Sequence, residues 1–78
     1  MMRVVIASDP DREELFAEIH YDEMQWAEII LEPNRGRFLL TIFPPMDREN
    51  WVFELREAEA AIAEARTALE TRAYQERE

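Results

Sequence analysis

A chain of 78 residues, 47% hydrophobic and 35% charged, is long enough for one small core and too apolar to stay disordered. Its net charge of −9, with all nine basic residues arginine, argues against binding nucleic acid or anionic membrane, since both rest on neutralising phosphate with Lys or Arg. The lack of cysteine excludes disulfides, thiolate nucleophiles and cysteine metal sites, and no apolar run approaches the roughly 20 residues that span a bilayer.

Met1 to Ala7 is too short for a signal-peptide core and Asp9 follows at once, so the cytoplasm is the expected location. Within it Arg3 to Ala7 (RVVIA) is β-branched and apolar. That predicts a strand over about 3–7, covered on both faces or central in its sheet. Ser8 to Arg12 reads as a turn from its Asp-Pro-Asp chemistry.

Two strands, about 14–21 and 25–32, follow. Leu15, Ala17, Ile19 and Tyr21 alternate with polar residues on the first, and Ala27, Ile29 and Leu31 do so on the second. An antiparallel register pairing Ile19 with Ala27 keeps both apolar sets on one side and closes over Asp22, Glu23 and Met24. The same register sets Glu18 against Glu28 and Glu14 against Glu32, and like charges so placed weaken a sheet. A one-residue shift through a bulge near Asp22 would separate these charges and leave them solvated.

Pro33 to Gly36 is a four-residue loop in which Gly36 is free to take positive φ, and a strand over about 37–43 comes next. Pairing Leu31 with Phe38 aligns Ile29 with Leu40 and Ala27 with Ile42, and brings Glu32 to Arg37. Pro44 and Pro45 end that strand. The alternation of Trp51, Phe53 and Leu55 predicts a short strand at 51–54, although Trp51, Leu55, Ala58 and Ile62 also fit a helix. From Leu55 the chain is helical to about residue 75, with Leu55, Ala58, Ile62, Ala65 and Leu69 as its apolar stripe. The expected fold is a single α+β domain over 1–78: a four- to five-stranded antiparallel meander with one C-terminal helix packed on one face.

One helix covers one face of such a sheet. The other carries alternating apolar and charged rows, including Phe16, Trp26, Ile30, Leu39 and Phe43, and a contiguous apolar patch of that kind marks an interaction surface or a dimer contact. Between Asp9 and Glu32 lie nine acids against one Arg12. Glu14, Glu18, Glu28, Glu32, Asp22, Glu23, Asp9 and Asp11 are therefore the expected contacts for a basic partner. His20, the single histidine, stands near Glu18 and Glu28, a combination that elsewhere serves acid–base chemistry or binds metal. A flat sheet face supplies neither a pocket nor further ligands, so no enzyme activity, metal or cofactor is expected.

The lysine-free acidic hairpin FAEIHYDEMQWAEIILE and the Ala-rich closing helix LREAEAAIAEARTALE resemble the small acidic α+β proteins of GC-rich bacteria and their prophages, among them anti-CRISPR and toxin-immunity proteins. The resemblance lies in size, charge and element order and carries no motif residue. It implies a stoichiometric blocker that docks on a basic surface such as that of a CRISPR effector complex or a toxin, without binding nucleic acid or membrane itself. An anti-CRISPR-like inhibitor is the leading expectation. A toxin-immunity protein or antitoxin meets the same requirements, and a self-associating structural component is the third reading.

Overall fold

The computed structural model describes residues 1–8, 11, 14–32 and 35–76, with side chains as far as residue 72. Four strands, β1 (Met2–Ala7), β2 (Phe16–Tyr21), β3 (Met24–Glu32) and β4 (Arg37–Ile42), precede one helix, α1 (Leu55–Glu76). They form a meander in the order β1-β2-β3-β4, every neighbouring pair antiparallel. This is the α+β architecture expected, with four strands. The turn expected over Ser8 to Arg12 and the first half of the Pro33 to Gly36 loop fall largely outside the described residues.

β1 is an edge strand, where its sequence suggested one covered on both faces or central in the sheet. Its apolar run is explained by α1, which lies over β1, β2 and β3 and shields one side of it. β1 pairs with β2 through Val4 opposite Ile19 and Ile6 opposite Ala17, extending the same core face.

Hairpin β2–β3 reconciles two conflicting demands. The apolar faces match when Ile19 pairs with Ala27, and they do. The turn, however, is the tight two-residue kind: Tyr21 pairs with Met24 across Asp22 and Glu23, and Asp22 takes φ 56°, a conformation aspartate tolerates better than most residues. Those two pairings differ by one residue, and the ladder absorbs the difference in a bulge between Ile19 and His20. Trp26 is the extra residue. The bulge lies on the turn side of Glu18, so Glu18 still faces Glu28.

The β3–β4 register runs as expected, from Glu32 opposite Arg37 to Ala27 opposite Ile42, and Gly36 has φ 63°. β2 begins at Phe16, so Glu14 stands before the strand and does not pair with Glu32. The core joins Ala17, Ile19, Trp26, Ala27 and Ile29 of the sheet to Ala61, Ala65 and Leu69 of the helix. Ile19 and Leu69, both fully buried, each contribute on the order of 1.5–3 kcal/mol relative to exposure. The alanines bring the helix close to the strands.

Residues 51–54 form no strand. Their alternation is real in burial, with Trp51 and Phe53 turned inward and Val52 82% exposed, but their backbone joins no ladder. The segment is instead a strap between β4 and α1, held by aromatic contacts. Phe53 meets Tyr21 at 5.0 Å, Trp26 at 4.7 Å and Trp51 at 5.4 Å between ring centroids. Trp51 Nε1 donates to the Phe43 carbonyl at 2.6 Å. Arg48 stands 5.6 Å from the Trp51 ring, and its hydrogen bonds to Asp47 hold that exposed carboxyl below its ordinary pKa. Glu54 then starts the helix, its Oε2 accepting the Glu57 N–H at 2.9 Å. Leu55, expected in the buried stripe, is 70% exposed because as the first helical residue it precedes the stretch that faces the sheet; Ala61 takes its place in the core.

Candidate functional site

The sheet face away from α1 is built by the residues that alternate with the core set. Glu18 and Glu28 stand opposite one another there, between Val5 on β1 and Thr41 on β4. On one side of this row lie Ala7, Phe16, Ile30 and Leu39, and on the other Arg3, His20 and Gln25. Glu18 is not left to repel Glu28 unaided. His20 Nε2 lies 3.1 Å from Glu18 Oε1, with both side chains largely shielded, at 16% and 29% exposure. His20 Nδ1 is buried and has no hydrogen-bond partner among the described residues. Glu28 is also engaged.

Arg3, adjacent to His20 across the β1–β2 ladder, belongs to this face, a position that reading the hairpin by itself does not reveal. The alternation of Val4 and Ile6 with Arg3 and Val5 was the signal that would have placed it. Glu32 stands four residues along β3 from Glu28, opposite Arg37, whose Nε lies 2.6 Å from Glu32 Oε1, and Arg35 Nε is 3.8 Å from Glu32 Oε2. Asp22 sits at the hairpin turn, 3.0 Å from the Met1 ammonium, with exposed Glu23 beside it. Asp11 is exposed and engaged, and Asp9 lies outside the described residues. The other six of the eight acids expected at the interface thus divide: Glu18 and Glu28 share one face, Asp22 and Glu23 one turn, Glu32 has an ion pair at the far end of the sheet from that turn, and Glu14 stands half-buried before β2.

The apolar set divides too. Phe16 is 8% exposed and Trp26 4%, so both are already buried within the protomer. Trp26 leaves the expected row because the bulge pairs His20 with Gln25, and its ring joins the core against Phe53. Ile30 and Phe43 are half-buried, and Leu39 is 41% exposed. What remains accessible around the carboxylates is a narrower apolar rim of Ile30, Leu39 and Phe43.

Such a face can present negative charge on a rigid, partly apolar platform. Among the described residues no three His, Asp or Glu side chains converge as a metal site would require, and no helix is long and apolar enough to cross a membrane. In comparisons with known proteins no family model, curated protein or solved structure matches the chain.

Proposed function

We propose that this protein is a non-enzymatic, anti-CRISPR-like inhibitor, acting in the cytoplasm, that docks on a basic and normally nucleic-acid-binding surface of a partner protein. The observation that carries the reading is the Glu18–Glu28 cross-strand pair on the helix-free face, in a chain of net charge −9. Like charges opposite one another cost stability. A partner's arginines or lysines would turn that cost into binding energy and specificity. Ile30, Leu39 and Phe43 would supply the apolar contact that charge by itself lacks.

The test is capture from a lysate of the source organism on immobilised wild type and on the Glu18→Gln/Glu28→Gln variant, both verified as folded by circular dichroism. The expected result is a nucleic-acid-binding protein that is held by wild type, released by salt and by excess DNA or RNA, and retained at least about tenfold less by the variant, a loss of about 1.4 kcal/mol. Equal retention by both proteins rejects the acidic-face reading. A captured partner that nucleic acid does not displace rejects the nucleic-acid-surface reading in favour of toxin immunity.

A further inference from the structure

β4 is an outer edge of the sheet, and its apolar side chains stay uncovered on both faces: Leu39 is 41% exposed, Leu40 48% and Ile42 59%. α1 shields β1, β2 and β3 and meets β4 at Phe38, where Arg66 stands 5.3 Å from the ring. Among the described residues no strand pairs with the outer side of the β4 backbone. The Phe43 N–H donates inward to the Trp26 carbonyl at 2.9 Å. Antiparallel ladders alternate residue by residue, so Thr41 and Leu39 also turn inward, while Phe38, Leu40 and Ile42 direct N–H and C=O groups outward. The strand has no proline, lysine or bulge, the usual devices that blunt an edge.

Charge indicates what covers it. Residues 37–46 contain one arginine and no acid, so in a chain of net charge −9 two copies can approach here with little repulsion; residues 1–8, at the other edge, match them in charge, but there Val4, Val5 and Ile6 are already half-buried, whereas β4 keeps Leu39, Leu40 and Ile42 exposed. We infer that β4 pairs with β4 of a second copy, antiparallel about a two-fold axis at Leu40, joining two four-stranded sheets into one of eight. The register follows from the pattern. Centring on Leu40 sets Leu40 against its own copy and Phe38 against Ile42, so that outward hydrogen-bonding groups meet and apolar side chains share one face. A shift of one residue would set Phe38 against Thr41 and mix the faces. Six residues a side bury less than the roughly 1,200 Å² at the lower end of stable interfaces, so the dimer forms at high protein concentration. Salt strengthens it by screening two acidic copies, whereas docking on a basic partner weakens with salt.

Sedimentation velocity across protein concentration, with amide hydrogen exchange at the same concentrations, tests the inference. The expected result is a doubling of apparent mass from that of one 9.3 kDa chain. The Phe38, Leu40 and Ile42 amides should exchange about tenfold more slowly in the concentrated sample, as newly bonded edge groups do. Leu40→Lys, at a half-exposed position, should restore the monomer, and Ile30→Lys, on the helix-free face, should leave the dimer intact. A monomer at the highest concentration, with those amides exchanging at one rate throughout, overturns the inference. So does a dimer that survives Leu40→Lys and is broken by Ile30→Lys. The wild-type exchange data decide the matter even if a variant fails to fold.

Discussion

Glu18 shows how a destabilising residue is tolerated, since the same side chain that faces Glu28 also reaches His20 at 3.1 Å. Glu18→Gln keeps an oxygen to accept from His20 and removes the like-charge opposition. Its stability should therefore equal wild type or exceed it by a few tenths to about 1 kcal/mol, measured by urea unfolding. A clear loss would mean that the charge on Glu18 is structurally required. Trp26 is the opposite case. Its burial and its contact with Phe53 make Trp26→Ala a core truncation costing about 3–5 kcal/mol, whereas Val52→Ala, at an 82% exposed position, should stay within about 0.5 kcal/mol. A charge at position 26 would unfold the protein, so it cannot serve as an interface probe; Leu39→Glu can.

Among the elements, α1 is capped at its start by one side chain. Glu is not among the preferred caps, yet Glu54 accepts the Glu57 N–H at 2.9 Å, while its carbonyl accepts from Ala58 at 3.2 Å. Glu54→Ala should cost about 0.5 kcal/mol, the low end for losing a cap, and Glu54→Ser, a preferred cap, should equal or exceed wild type; equal stability of all three proteins in thermal melts would show that the cap contributes nothing. Along the helix the fit is set by small side chains. Ala65 is fully buried against the sheet, so Ala65→Leu must push the helix away, at a cost of about 1–3 kcal/mol despite leucine's good helix propensity.

For the whole molecule, nine acids against one arginine between Asp9 and Glu32 place the charge excess in the β1–β2 connection and the β2–β3 hairpin. Self-repulsion of that kind opposes compaction, so the melting temperature should rise as salt increases from about 0.01 M to 0.15 M, where the screening length falls from about 30 Å to 8 Å. Partner association should slow over the same range, because steering acts through the same field. Calorimetry and stopped-flow mixing read the two trends separately. A melting temperature that falls with salt would mean that ion pairs such as Arg37–Glu32 outweigh the net repulsion.

The meander, its register and the helix were legible in the sequence because each rests on local chemistry. A four-residue loop with Gly36, the alternation of Ala27, Ile29 and Leu31, and an Ala-rich run without Gly or Pro leave few alternatives. The opposition of Glu18 and Glu28 follows from the same alternation. The bulge at Trp26 does not, because it settles a competition between a two-residue turn and the core face, and the outcome depends on whether the displaced ring finds Phe53 to pack against. Residues 51–54 carry a strand's alternation, but a strand also needs a backbone edge to pair with, and the strap finds aromatic rings instead. Likewise, β1's place at an edge depends on which strands pair, and whether Leu55 is buried or β4 covered depends on where one helix comes to rest across four strands. That placement is set by long-range packing, for which no stretch of sequence holds both partners.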